Sequence, residues 1–256
     1  MKADQDLGKI ALYLSPEHPC EYLQDRLAST LFTDPEMQMS PQHYEFFMQS
    51  GFRRSGDAIY SPKCGSCQSC ISLRIPVREF KIGRSGRRVL NKNNNLQRSL
   101  VNALDDEHID LLTSYLSDRH AGGSMENQEP EQVIKFFESQ WCETGFLEYR
   151  KGAQLLAVSV IDLLPEALSA VYSFFESSPS QRSLGTYAIL DAVQFARQND
   201  LNFLYLGYWI ANCQKMKYKS RFLPHELFYN GQWHRIENAS QSEHFIENLQ
   251  KTGFSV

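Results

Sequence analysis

The sequence predicts an α/β (α+β) protein in two parts, a smaller cysteine-containing, basic unit over residues 1–98 and a larger unit over 99–256. Three observations carry this. Thiols recur at three-residue spacing in Cys64-Gly65-Ser66-Cys67-Gln68-Ser69-Cys70, positive charge gathers around them, and the second half alternates helical and strand periodicities. From Arg53 to Arg98 eleven Lys/Arg face only Asp57 and Glu79, in a chain of formal net charge −4. Such asymmetry points to a polyanionic partner. With 256 residues, 42% hydrophobic and 22% charged, the composition is that of an ordinary globular protein with length enough for a real core. No stretch approaches the roughly 18 apolar residues of a membrane helix. The start, Met1-Lys2-Ala3-Asp4-Gln5-Asp6, is polar, with no secretory h-region after it. Six cysteines in a leaderless chain fit the reducing cytoplasm, where clustered thiols mean metal or redox chemistry more often than disulfides.

Taken in order, residues 1 to about 100 read as turn-rich with short strands. Ile71-Ser72-Leu73-Arg74-Ile75-Pro76-Val77 alternates like a strand with one polar face, and Asn91–Asn95 reads as the connection to the second unit. Helical spacing follows in Asp105–Leu116 (Ile109, Leu112, Leu116) and in Glu131–Trp141 (Val133, Ile134, Phe137, Trp141). Strands are expected at Gly145–Arg150, Leu155–Leu163 and Leu168–Phe175. A helix at Leu184–Gln198 would be capped by Ser183 and turn Ile189, Val193 and Ala196 inward. A strand at Phe203–Tyr208, a short basic helix near Asn212–Lys219 and a hairpin at Asn230-Gly231 complete the chain. The order α-α-β-β-β-α-β-α-β resembles the acyltransferase fold of GCN5-related N-acetyltransferases (GNAT), whose mixed sheet splays open to admit an acyl donor.

Several motifs then converge on one family. Cys20-Glu21-Tyr22-Leu23, Gly51-Phe52-Arg53-Arg54-Ser55-Gly56, Tyr60-Ser61-Pro62-Lys63-Cys64 with Cys67 and Cys70, and Leu73–Val77 resemble the N-terminal half of aminoacyl-tRNA–protein transferases. Ser183–Leu190, Leu206-Gly207-Tyr208-Trp209-Ile210, Cys213, Lys215-Met216, Tyr218-Lys219 and Pro224 resemble the C-terminal half. The compact length is similar to the bacterial, leucyl-transferring branch. The resemblance implies transfer of leucine from leucyl-tRNA to the N-terminal Asp or Glu of a protein, creating an N-degron. Arginyl transfer on the same scaffold and a non-catalytic, metal-dependent RNA-binding protein stay open beside it.

The residues suit that chemistry. Arg84, Arg87, Arg88, Lys92 and Arg98 lie in one short stretch, a tRNA phosphate contact surface or else a solvated basic loop. Either Arg53 or Arg54 can grip an acceptor carboxylate bidentately. Cys64, Cys67 and Cys70 with the remote Cys20 depart from paired zinc motifs and lack the proline of common iron–sulfur runs. Eukaryotic relatives hold an iron–sulfur cluster or zinc on four cysteines at other spacings, so a metal and reduced thiols are both open readings. At Arg182-Ser183-Leu184-Gly185-Thr186-Tyr187 the bulky Tyr187 stands where a pyrophosphate loop needs a small residue. This disfavours coenzyme A and offers a face for a base, unless the ring turns into the core. Gly185 and Tyr187 are therefore candidate donor contacts, and Tyr172 a candidate wall of an apolar leucyl pocket. Lys215 and Lys219, expected on one helical face, are candidates for phosphate or carboxylate. Glu176 and Asp191 are the candidate general bases; aminolysis of an activated ester needs little beyond positioning, oxyanion donors and a base.

Overall fold

The computed structural model describes residues 10–119, 129–177 and 182–251; the polar N-terminus singled out above lies outside them. The first part forms β1 (Leu12–Leu14), β2 (His18–Pro19), β3 (Leu27–Ala28), β4 (Thr30–Thr33), α1 (Pro41–Gln49), β5 (Arg53–Ser55), β6 (Ala58–Pro62), β7 (Ile71–Pro76) and α2 (Arg84–Lys92). Two helices here were not expected. The signal for α1 is present, since Ser40 occupies the N-cap, accepts from the His43 amide at 3.2 Å and precedes proline at the first helical position. Most of the basic stretch is helical: α2 runs through Asn91 to Lys92, with Asn93 as its C-cap.

The second part follows the expected order closely: β8 (Gln97–Val101), α3 (Asp106–Arg119), α4 (Pro130–Phe137), β9 (Glu143–Lys151), β10 (Gln154–Leu163), β11 (Ala167–Phe175), α5 (Leu184–Gln198), β12 (Phe203–Trp209), a 3-10 helix (Lys217–Arg221), β13 (His225–Tyr229), β14 (Gln232–Ile236) and α6 (Ala239–Lys251). Asn230 and Gly231 both take positive φ (+49° and +76°), as a two-residue hairpin turn demands.

One mixed eight-stranded sheet, ordered β14-β13-β7-β12-β11-β10-β9-β8, organises the molecule. A four-stranded sheet, β1-β4-β6-β5, and the β2-β3 pair stand beside it. β7, which the sequence assigns to the N-terminal unit, is an interior strand between β12 and β13. The boundary at residue 98 therefore falls inside a continuous sheet. That position explains why Ile71, Leu73 and Ile75 are all buried while Ser72 donates to the Gly51 carbonyl at 2.7 Å.

Two cores cover the two faces. On one, Ala188, Val193 and Ala196 of α5 pack on Ile75, Leu147, Tyr149 and Ile161. On the other, Leu112 and Leu116 of α3 and Val133 and Phe137 of α4 pack on Phe146, Val158, Val160 and Phe174. Each Val, Leu, Ile or Phe side chain among them contributes about 1.5–3 kcal/mol by leaving water. A third cluster (Tyr44, Phe47, Met48, Ile59, Leu164, Tyr205) seats α1 and the small sheet on the large one.

Candidate active site

β11 and β12 are parallel neighbours, yet they pair only at Ala167↔Phe203, Leu168↔Leu204 and Ser169↔Tyr205. Both then run on, to Phe175 and Trp209, without further pairing to each other. Irregularities mark both walls of this V. The β10–β11 register shifts between Val160 and Ile161, and the β12–β7 register shifts between Tyr205 and Gly207. Gly207 is left-handed, with φ +78°. Bulges of this kind bend a strand and end pairing, which is how the sheet opens here.

Two buried cations stand over Gly207. A side chain added there would lie 3.6 Å from Lys219 Nζ and 4.0 Å from Arg53 Nε. Arg53, on β5, is 5% exposed; its Nη1 donates to the Phe52 carbonyl at 2.6 Å and reaches Met48 Sδ at 3.6 Å. Its guanidinium lies over the rings of Tyr205 (5.2 Å) and Tyr208 (5.6 Å), while Nε and Nη2 have no hydrogen-bond partner among the described residues. Lys219, on the 3-10 helix, donates to the Tyr208 carbonyl at 2.7 Å. Burial, then the Arg53 charge, bring its amine down to about 7. Tyr208 completes the floor by donating to the Gly51 and Tyr60 carbonyls, each at 3.2 Å.

Arg54 faces the other way. Its Nε donates to Asp162 Oδ2 at 2.8 Å, its Nη2 pairs with Asp162 Oδ1, and further bonds reach the Phe137 carbonyl (2.6 Å) and Thr144 (2.8 Å). Both charged side chains of this pair are fully buried. Arg54 is thus a fixture of the interior, and of the two neighbouring arginines only Arg53 presents donors to an incoming carboxylate.

Other expected residues are redistributed. Tyr187 is buried, edge-on to Tyr149 at 5.2 Å, so its ring belongs to the core and offers no face to a base. Gly185 has a packing reason to be glycine, because a Cβ would come within 3.1 Å of the Phe175 ring. Ser183 sits at the N-cap of α5 with left-handed φ (+54°) and makes no side-chain cap. Asp191 is tied to Arg98 Nη1 at 3.2 Å, and burial raises its carboxyl against the opposing pull of Arg98. The pairing removes Arg98 from the basic surface and Asp191 from the V. Glu176 accepts from Gln154 Nε2 at 3.2 Å, off the cationic floor. Lys215 is exposed and Lys219 buried, since residues 213–216 are turns and a 3-10 helix replaces the expected α-helix; the two share no face.

On α2, Arg84, Arg87, Arg88, Asn91 and Lys92 are exposed and line a shallow concavity, with no acid on the helix to neutralise them. Arg182, just before α5, ties down the helix end by donating to Asn93 Oδ1 (3.3 Å) and Asn95 Oδ1 (3.1 Å). α2 also packs on α5 through Gly86 and Leu190, so the basic face is held against that helix.

The thiols gather at the far side of this floor. Burial and then Cys64, Cys67 and Cys20 push the Cys70 thiol up to about 12. Cys64 Sγ donates to the Ser29 carbonyl at 3.8 Å, and Cys67 Sγ meets Ser69 Oγ at 3.2 Å. Among the described residues no group of three or more His, Cys, Asp or Glu is arranged to hold a metal ion.

Residues 18–88 match the family described as "Arginine-tRNA-protein transferase, N terminus", and residues 107–229 match its "C terminus". A protein of Saccharophagus degradans named aspartate/glutamate leucyltransferase is 42% identical over 89% of this chain and 98% of its own. One of the same name from Nitrosococcus oceani is 45% identical over 86% and 94%. Among solved structures, FemX covers 86% of this chain and 87% of its own at 7% identity, with a TM-score of 0.48.

Proposed function

The chain belongs to the arginine-tRNA-protein transferase family and transfers leucine from leucyl-tRNA to the N-terminal Asp or Glu of proteins, creating an N-degron; from that premise we propose that the floor of the V is the acceptor site. The observation that carries this reading is the pair Arg53 and Lys219, a buried guanidinium and a buried amine with no carboxylate between them among the described residues. Burying the unpaired Arg53 charge is costly, so such a site is retained where a ligand supplies the anion. Arg53 Nε and Nη2 face the same way and suit a side-on carboxylate.

The same site supplies the base that Glu176 and Asp191 do not. With an amine near 7, Lys219 is substantially neutral at physiological pH. It takes a proton from the acceptor's α-ammonium, and the acceptor's own carboxylate then stabilises the Lys219 ammonium so formed. The freed amine attacks the leucyl carbonyl. A C–N bond forms, the ester C–O bond breaks, and the second amine proton leaves with the ribose oxygen. An acidic first residue is therefore required twice, for binding and for proton transfer. Lys or Arg at that position meets the Arg53 guanidinium and brings no carboxylate to stabilise the Lys219 ammonium.

α2 is the docking surface for the donor. Arg84, Arg87, Arg88 and Lys92 contact the phosphates of leucyl-tRNA, a sequence-independent and salt-dependent interaction. Such contacts would place the acceptor stem beside α5 and its leucyl ester in the V. Charged tRNA is made in the cytoplasm, where the reaction runs; no helix among the described residues is long and apolar enough to cross a membrane.

The test is transfer of labelled leucine, and separately arginine, to peptides beginning Asp, Glu, Asn or Lys. Leucine on the Asp and Glu peptides alone is expected. Equal transfer to the Asn peptide would remove the cationic pocket from acceptor selection, and arginine as the donor would overturn the leucyl assignment.

A further inference from the structure

Beyond the acceptor floor, the upper part of the V holds an aromatic group that includes a residue no motif singles out. Tyr115 is half-buried on α3, on the face of the sheet opposite α5. Its ring lies 5.0 Å from Phe175 and 6.3 Å, edge-on, from Tyr172, both on β11 beyond the point where β11 and β12 part. Phe175 in turn lies against Gly185 at the start of α5. The Phe175 ring, at the end of β11, thus lies between elements from both faces of the sheet. Tyr218, on the 3-10 helix that packs on β12, the far wall, is more than a third exposed. Its neighbour Lys219 turns down to the Tyr208 carbonyl, so consecutive residues of the 3-10 helix serve the two halves of the V.

We propose that Tyr115, with Tyr172, Phe175 and Tyr218, forms the pocket for the donor's amino-acid side chain and sets its size and polarity. The proposal rests on the leucyl-transfer reading above and adds what selects leucine. The group offers ring faces and edges to a branched aliphatic chain. The carboxylate that follows β11, Glu176, accepts from Gln154. A pocket made of rigid rings discriminates by volume. Adding or removing a methylene-sized group in such a pocket changes kcat/KM by about 10- to 200-fold, and an unpaired buried cation is rejected more strongly.

The experiment charges one tRNA body with leucine or with phenylalanine, so that every tRNA contact is common to both donors. Transfer to an Asp peptide is then measured. Wild type prefers leucine. Tyr115→Ala opens the pocket, and the leucine-to-phenylalanine ratio of kcat/KM is expected to fall about tenfold or more. Tyr115→Phe keeps the ring and the ratio to within about twofold. Tyr218→Ala, at an exposed position on the opposite wall, moves the ratio the same way as Tyr115→Ala and covers the case in which the α3 variant folds poorly. If either alanine variant slows both donors by one factor, or leaves both unchanged, the pocket assignment is overturned while leucyl transfer stands. A wild-type enzyme that fails to use leucyl-tRNA refutes the underlying reading instead.

Discussion

Arg53→Met separates the acceptor site from the fold that surrounds it. The guanidinium has two buried donors, Nε and Nη2, without partners among the described residues, and an incoming carboxylate can take both side-on. Losing one member of a buried, hydrogen-bonded charge pair costs about 2–5 kcal/mol. Taking about 3 kcal/mol, kcat/KM for an Asp peptide falls by about two decades at about 1.4 kcal/mol per decade. An Asn peptide, isosteric but without the charge, loses far less, so the Asp/Asn preference collapses. Stability responds differently. The substitution removes two unsatisfied buried donors, each costing about 1–3 kcal/mol, and loses one carbonyl bond and the stacking on Tyr205 and Tyr208, about 0.5–2 kcal/mol per ring. These nearly cancel, so the thermal midpoint should shift by only a few degrees. The assay is initial-rate leucine transfer on the paired peptides, with thermal melts of the same samples. An intact Asp/Asn preference in a well-folded variant would refute the argument, as would outright unfolding.

The neighbouring substitution has the opposite profile. Arg54→Met strands Asp162 in the interior and should cost about 3–5 kcal/mol, read as a large fall in thermal midpoint. Lys219 has a pH signature. Its folded pKa lies below its ordinary value of 10.5, so the unfolded chain binds more protons between about 7 and 10.5. The resulting destabilisation is full below about 7 and fades as pH rises toward 10.5. Lys219→Met should therefore melt higher than wild type at pH 6, with the gap closing by pH 10; a pH-independent gap would contradict the depressed amine. On the tRNA side, Arg87→Glu with Arg88→Glu should weaken leucyl-tRNA binding and flatten its dependence on log salt, each lost phosphate contact lowering the slope by somewhat under one unit. An unchanged slope in a filter-binding or anisotropy titration would take α2 out of the interface.

What could be read from the sequence was what local rules decide. α5 and the Asn230-Gly231 hairpin follow from apolar spacing and turn chemistry confined to a few residues, and both stand where expected. The Ser40-Pro41 start of α1 is an equally local signal, an N-cap followed by proline at the first helical position. The division of labour between Arg53 and Arg54 was not legible. Alternation sends the two side chains to opposite faces, but which face meets Asp162 and which meets Tyr208 depends on strands more than a hundred residues away. Arg98 and Asp191 each look like functional residues until β8 and α5 bring them together and they neutralise one another. Lys219 does not share a helical face with Lys215. It is buried because a 3-10 helix, not an α-helix, turns it inward, and that choice is tertiary.

The central position of β7 also governs how the molecule can be made. This strand leaves the ribosome long before β12 and β13, its partners on either side, have been synthesised. Until they arrive, Ile71, Leu73 and Ile75 have no sheet to enter, and such an uncovered apolar strand is the kind of nascent surface that chaperones bind. Pairings so distant in sequence make for slow folding. The two halves are consequently not interchangeable modules: cutting near residue 98 would leave the later half with a gap in the middle of its sheet. In return, Arg53 and Lys219, drawn from opposite ends of the chain, are held in one continuous framework rather than across a hinge.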